Sequence, residues 1–291
     1  MGESVRDTTA TDVPAQRNAG GKSAAEVREM FARVAPRYDL LNHLLSLGRD
    51  SRWRKAAARE AAGLGAGDVI LDVCTGTGDL AFAFHRAAPE AHIVALDFTP
   101  AMLALALRKA ERMKVRAAVW HGHHAQEPRA RDAAELAQAA RATGGAGEGL
   151  QGERGTMCFG EGDALAVPLP DNTAALAGVA FGVRNVADTD RALREMARVV
   201  RPGGKVLVLE FTRPRGWFFG PVYMFYFRRI LPLAARCIAE TAGDAYRYLP
   251  QSVQAFAGAE EITARLAGVG LRDVRATPLT FGVVHLYVGM K

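Results

Sequence analysis

The stretch "LDVCTGTGDL", from Leu71 to Leu80, limits what this chain can fold into more than any other. An apolar run ends at Asp72, Val73 and Cys74. Gly76 and Gly78 follow, and apolar residues then resume at helical spacing. A strand that turns through glycines into a helix is the opening unit of an open α/β sheet, where missing side chains let a ligand lie against the backbone. The flanking sequence extends the pattern. "HIVALD", "AALAGVAFGV" and "KVLVLEF" are short apolar runs, and "LAFAFHRAA" and "DTDRALREMARVV" have helical periodicity. Strands alternating with helices predict parallel βαβ units, and continuous apolar strands predict a sheet covered on both faces.

The ends of the chain read differently. "AEEITARLAGVG" predicts a helix stopped at Gly270, and "LRDVRATPLT" and "VVHLYVGM" predict a closing antiparallel pair. With "TMCFGEGD" as the third strand, the expected fold is a Rossmann-like α/β domain with a seven-stranded, mostly parallel sheet. Val27, Met30, Phe31 and Val34 predict a helix starting near Ala24. "YDLLNHLLSLGRDSRWRKAAAREAAGL" predicts two more, broken around Gly48, with Asp50 capping the second. Residues 24–62 thus form an N-terminal helical lid on a single domain spanning 24–291, behind a flexible tail at 1–23. The Ala-, Gly- and charge-rich stretch at about 114–155 is expected as an insertion, helical around Ala133 to Arg141. "WFFGPVYMFYFRRILPLAARCI" is split by Arg228 and Arg229, which argues against a membrane span.

Composition excludes several classes. With 291 residues, 49% hydrophobic, the chain can bury a large core and is not disordered as a whole. A net charge of +6 without basic runs interleaved with aromatics points away from nucleic acid and leaves an anionic membrane surface open. Cys74, Cys158 and Cys237 are far apart, which predicts no disulfide framework and fits a reducing cytoplasm. The N-terminus lacks the apolar core of a secretory signal. His121, His123 and His124 in "WHGHHAQE" have no acidic or cysteine partner at a recurrent spacing, so no metal is expected.

The chemistry begins with Asp97, about twenty residues past the glycines, where a carboxylate can accept hydrogen bonds from a ribose diol. Alone this fits dinucleotides and other adenosine cofactors alike. Asp72 and Asp79 flank the turn, however, and carboxylates oppose a pyrophosphate while suiting a cation. S-adenosyl-L-methionine carries a sulfonium and an ammonium group. Asp163, in "GDALAVPLPDN", follows the third strand and is placed to meet an adenine amino group. Asp72, Gly76, Thr77, Gly78, Asp97 and Asp163 together favour a methyl-donor site over an NAD site. Plainer roles stay open: a helix-cap or turn carboxylate for Asp72, a turn residue for Asp163, and a helix cap for Asp39, which is otherwise expected to help order the N-terminal lid.

Five stretches, "FARVAPRYDLLNHLLSLGRDSRW", "LDVCTGTGDL", "GDALAVPLPDNT", "AFGVRNVADTDRALREMARVVRPGGKVLVLEFTRP" and "DAYRYLPQSV", resemble the ubiquinone/menaquinone biosynthesis C-methyltransferases of the UbiE/MenG type. The resemblance runs from about Ala25 to Lys291 outside the insertion. It implies a class I S-adenosylmethionine-dependent methyltransferase fold and methylation of a ring carbon on a polyprenyl quinol. It implies that Thr77, Asp97, Asp163 and Ala164 line the cofactor pocket and that Ala180 lies beside the methyl donor. Asp50 and Thr212 stand where the family often has His and Ser. Arg184 and Asn185, after the fourth strand, fall where open α/β sheets hold ligands. Arg184 is expected to stabilise the acceptor phenolate, with Asn185 and Tyr38 orienting it; a salt bridge from Arg184 to Asp188 or Asp190 is the alternative. The polyprenyl tail implies transient contact with the inner membrane face through helix 24–34, the "WFFGPVYMFYF" region and Arg213, Arg215, Arg228 and Arg229. A homodimer, another small apolar acceptor, an NAD-dependent oxidoreductase and a non-catalytic cofactor-binding partner remain open.

Overall fold

A computed structural model describes residues 17–120, 155–212 and 243–291. The "WFFGPVYMFYF" region, Arg213, Arg215, Arg228, Arg229, Cys237, the three clustered histidines and the helix expected around 133–141 lie outside the described residues.

The core is a sheet whose strands are β1 (Val69–Val73), β2 (His92–Asp97), β3 (Ala117–Trp120), β4 (Met157–Glu161), β5 (Ala174–Ala180), β6 (Val200–Phe211), β7 (Arg272–Leu279) and β8 (Val284–Met290). Their order is β3-β4-β2-β1-β5-β6-β8-β7. The first six pair in parallel, and β8 runs antiparallel to β6 and to β7. Among the described residues the sheet therefore has eight strands rather than seven. The extra one, β3, lies inside the stretch assigned to an insertion. Its four residues alternate between exposed and half-buried, so it lacks the apolar run by which the inner strands announce themselves. At the opposite edge, β7 is mostly exposed and carries Arg272, Arg275 and Pro278.

Every residue of β1 is buried, and β2 and β5 are buried but for one terminal residue each. That burial follows from helices on both faces. Against one face pack α4 (Asp79–Ala87), through Leu80 and Phe84, and α5 (Pro100–Arg112), through Leu103 and Ala106. Against the other pack α6 (Thr189–Val199), through Leu193 and Met196, and α8 (Ala259–Gly268), through Ile262 and Leu266. Asp188 caps α6 by accepting from the Arg191 N–H. The "RPGG" stretch does not end the helix in an outside turn, as a glycine pair would suggest. It lies within β6, where the register jumps from Ala174 opposite Val200 to Leu176 opposite Lys205.

Over the C-terminal ends of the strands lie the helices expected as a lid, α1 (Ala24–Val34), α2 (Tyr38–Leu45) and α3 (Asp50–Ala58), joined by α7 (Gly243–Ala255). Ser23 and Glu26 form a reciprocal capping box at the start of α1, a feature typically contributing ~1 kcal/mol. Asp50 does not cap α3. It is the first helical residue, and its carboxylate takes Ser46 Oγ at 2.9 Å and Arg54 Nη1 at 2.7 Å. Asn18, within the stretch expected as a tail, is buried at 7% exposure.

Candidate active site

The strand order reverses direction beside β1, and a cleft of about 650 Å³ opens at the carboxyl ends of the strands there. The glycine turn forms its floor. Gly76 and Gly78 have φ of +57° and +84°, and a Cβ on Gly78 would come within 2.9 Å of Phe82 and 3.3 Å of Phe159. Conformation and space thus both require glycine at 78. The tip of β2 is tied to this turn, since Asp97 Oδ2 accepts from the Gly76 N–H at 2.7 Å and Oδ1 from the Thr99 N–H at 2.8 Å. Burial pushes the Asp97 carboxyl above its ordinary range, against the pull of those bonds.

Asp72 is 1% exposed. Its Oδ2 accepts from Thr75 Oγ1 at 2.5 Å and the Ala81 N–H at 3.1 Å, whereas Oδ1 has no partner among the described residues. Burial raises its carboxyl to about 7. A buried, half-satisfied carboxylate beside a bare glycine turn suits a ligand that brings a positive charge.

Seven of the expected site residues line this cleft: Tyr38, Gly76, Asp97, Asp163, Ala164, Ala180 and Asn185. Asp163 is exposed at the rim, its Oδ1 accepting from the Leu165 N–H. Asp72, Thr77 and Gly78 shape the turn from behind. Thr77 does not face the cleft: its hydroxyl donates to Asp39 Oδ1 at 2.6 Å and accepts from Lys109 Nζ at 2.9 Å. Lys109 also reaches Asp39 Oδ2 and Asp79 Oδ1, each at 2.7 Å. This node ties α2 to the glycine turn through the Asp39 carboxylate.

A second, smaller chamber of about 70 Å³ adjoins the cleft. Phe31, Tyr38 and Phe181 line both spaces and divide them. Trp53, Phe181 and Phe211 form an aromatic cluster, with Phe181 and Phe211 centroids 4.7 Å apart. The Arg54 guanidinium lies 5.4 Å from the Phe181 centroid, and that of Arg184 lies 5.5 Å from the Phe211 centroid. Arg184 is here, not in the cleft. Its partner is neither Asp188 nor Asp190: Nη1 donates to Glu210 Oε1 at 2.6 Å and to the Phe181 carbonyl at 2.7 Å. Asp190 instead pairs with Arg265. Glu210 is fully buried, and that burial raises its carboxyl, with Arg184 opposing the shift. Nε of Arg184 is buried without a partner among the described residues. Burial likewise lifts the Tyr38 phenol above its ordinary value.

The sequence reading missed Glu210, Arg54, Trp53, Phe211, Tyr248 and Lys109. Each belongs to a helix or strand whose periodicity already explained it. Only a charged residue within an apolar strand run, such as Glu210 in "KVLVLEF", carried a signal.

The family model described as the ubiE/COQ5 methyltransferase family matches residues 19–135 and 148–291. The chain belongs to that family. It is an S-adenosylmethionine-dependent C-methyltransferase of menaquinone or ubiquinone biosynthesis. A Thermus thermophilus protein named demethylmenaquinone methyltransferase is 43% identical over 89% of this chain and 99% of its own length. A Deinococcus radiodurans protein of the same name is 40% identical, over 91% and 92%. A Geobacter sulfurreducens protein named ubiquinone/menaquinone biosynthesis C-methyltransferase is 38% identical, over 91% and 88%. Solved structures support the fold. A Methanococcus maripaludis protein described as an S-adenosyl-L-methionine-dependent methyltransferase has a TM-score of 0.53 at 17% identity, covering 89% of this chain and 93% of that one. Phosphoethanolamine N-methyltransferase 2 of Haemonchus contortus, in complex with S-adenosyl-L-methionine, has a TM-score of 0.51 at 13% identity, covering 82% and 52%. Membership sets aside the NAD-dependent oxidoreductase, which the carboxylate-rimmed turn already disfavoured.

Proposed function

We propose that this chain methylates a ring carbon of a reduced polyprenyl quinol, with demethylmenaquinol the preferred acceptor, and that its two adjoining spaces divide the work. The names of the Thermus and Deinococcus relatives support that preference. The cleft holds the methyl donor: Asp97 for its ribose hydroxyls, Asp163 for its adenine, the Gly76 turn with the buried Asp72 carboxyl behind it for its cationic amino-acid end, Ala164 and Ala180 for close packing. Bound S-adenosylmethionine supplies an electrophilic methyl group on a sulfonium sulfur. The acceptor ring enters from the aromatic chamber, past Tyr38 and Phe181.

The observation that carries this division is the unpartnered Nε of Arg184 in an aromatic chamber next to the cleft. A quinol ring carbon becomes nucleophilic when the neighbouring oxygen loses its proton, and a free phenol titrates near 10. The Arg184 N–H stabilises that oxyanion, and the low-polarity surroundings strengthen the bond. Glu210 cancels most of the arginine charge, so Arg184 acts as an aimed donor more than as a bare cation. Tyr38 and Asn185 orient the ring. The chamber is far below the ~300–1,000 Å³ of an ordinary ligand pocket, so acceptor entry displaces the lid helices.

Incubation with labelled methyl donor and each reduced quinol, followed by mass spectrometry, tests the reading. Label in menaquinol is expected; label in neither quinol overturns it. Transient membrane contact is supported by exposed Leu40, Leu47 and Phe281. A bond of 2.8 Å from Trp53 Nε1 to Thr280 Oγ1 holds the Phe281 turn against α3, the helix that Leu47 precedes. No helix among the described residues is long and apolar enough to cross a membrane. Flotation with anionic vesicles at low salt is expected to carry the protein upward; protein left at the bottom overturns the contact.

A further inference from the structure

We propose that Asn18 and Tyr248 form a directional hydrogen-bond relay that holds the side-chain amide of Asn185 as a donor toward the acceptor oxygen. The relay rests on the acceptor reading above. Asn18 lies before the lid and 230 residues from Tyr248, yet both are buried, at 7% and 4% exposure.

The direction of every proton follows from partners that have no choice. Asn18 Oδ1 faces two backbone N–H groups, those of Gly20 and Lys22, each at 3.0 Å. Its Nδ2 faces the Asn185 carbonyl at 3.0 Å, which can only accept. The Asn18 amide is therefore oriented without ambiguity. Nδ2 also donates to the Tyr248 hydroxyl at 2.8 Å, so that oxygen is an acceptor on this side. The tyrosine's own proton is left for Asn185 Oδ1 at 2.9 Å. With Oδ1 engaged, Nδ2 of Asn185 faces the other way. One of its N–H groups reaches the Phe181 carbonyl at 3.3 Å, and among the described residues the second is left for the cleft that Asn185 lines. A free phenol titrates near 10, so the Tyr248 hydroxyl is protonated near neutral pH, and burial raises it further.

The consequence is chemical. An amide free to flip would serve a protonated phenol with its oxygen as readily as a phenolate with its N–H. The relay removes the first option, so Asn185 offers a donor from the cleft side, as the free Nε of Arg184 does from the chamber side, and both favour the deprotonated ring where the two spaces meet. Gly20 belongs to this device: a Cβ there would come 2.2 Å from the Tyr248 ring.

Steady-state kinetics with demethylmenaquinol and S-adenosylmethionine on wild type, Tyr248→Phe, Gly20→Ala, Asn185→Ala and the Tyr248→Phe/Asn185→Ala double variant test the proposal. Tyr248→Phe removes one oxygen and keeps the ring. It is expected to lower kcat about tenfold, the worth of one well-made hydrogen bond in the transition state, with calorimetric affinity for the methyl donor unchanged. Gly20→Ala should copy it. The double variant should be no slower than Asn185→Ala alone, because the relay acts only through that amide. Additive losses, or equal losses in donor affinity and turnover, overturn the relay while leaving the function standing. A wild-type enzyme that methylates no quinol overturns both. Where Tyr248→Phe does not fold, Asn18→Ala takes its place in the same cycle: a non-additive loss of kcat supports the relay, and an additive one overturns it.

Discussion

The cleft and the chamber are neighbours built on opposite principles. The cleft is made where strands end. Its key groups sit on the tips of β1, β2, β4 and β5, and main-chain hydrogen bonds from Gly76 and Thr99 hold Asp97. The chamber is made where helices close over those tips, from Trp53 and Arg54 on α3, Arg184 after β5, Phe211 at the end of β6 and Tyr248 on α7. Its polar groups are held by other side chains: Arg184 by Glu210, Arg54 by Asp50. A backbone-held site tolerates loss of one side chain and keeps its shape. A site of paired buried charges does not, because removing one partner leaves the other uncompensated.

The largest expected effect separates these two behaviours. Arg184→Ala should abolish most turnover and also destabilise the fold by roughly 3–5 kcal/mol, because Glu210 is left buried and alone. Arg184→Met with Glu210→Leu should recover much of the stability, read by denaturant unfolding, without recovering turnover. Recovery of both would reduce the pair to a structural one. In the cleft, Asp97→Asn should weaken donor binding about 10- to 100-fold, as expected for losing charged hydrogen bonds, with a smaller loss of stability than Arg184→Ala, because one amide N–H then faces a backbone N–H. A fold that collapses instead would erase the contrast.

Smaller effects sharpen it at the seam. Lys109→Met should loosen α2 from the glycine turn and cost ~1 kcal/mol of stability, given a half-exposed Asp39 partner. Combined with Asp39→Asn, the losses should fall short of additive, and protease cutting within α2 should rise in both single variants. Full additivity would mean that the node is not one unit. The last effect is a slope with pH. The Asp72 carboxyl titrates at about 7 folded against 3.8 in its ordinary state. The folded chain thus holds a proton between these values that the unfolded chain releases. Stability from this group is highest below pH 3.8, falls as pH rises, and levels off above about 7. Asp72→Asn should flatten that part of the curve in thermal melts from about pH 4 to 8; an identical slope would show that another group carries it.

How much was legible follows the same divide. Strand-end residues announce themselves because the turn chemistry is local: Asp72, Gly76, Gly78 and Asp97 stand within one βαβ unit, and their order along the chain is their order in space. The parallel sheet was legible for the same reason. The chamber was not: Arg184 and Glu210 also stand one βαβ unit apart, but no turn motif marks their pairing, and Asn18 finds Tyr248 across nearly the whole chain. Nothing in "FGVRN" says that its arginine turns away from Asp188. Strand β3 was hidden because an edge strand needs no continuous apolar face, and Asn18 because a single buried amide leaves no periodic trace.

The arginines and Pro278 on β7 bear on how the enzyme survives at working concentration. An outermost strand offers open main-chain groups to any other strand, and a proline there removes one donor while exposed charged side chains make a dry pairing with another strand costly. The rim is thereby closed to growth by strand addition, and the long sheet ends where this chain ends it.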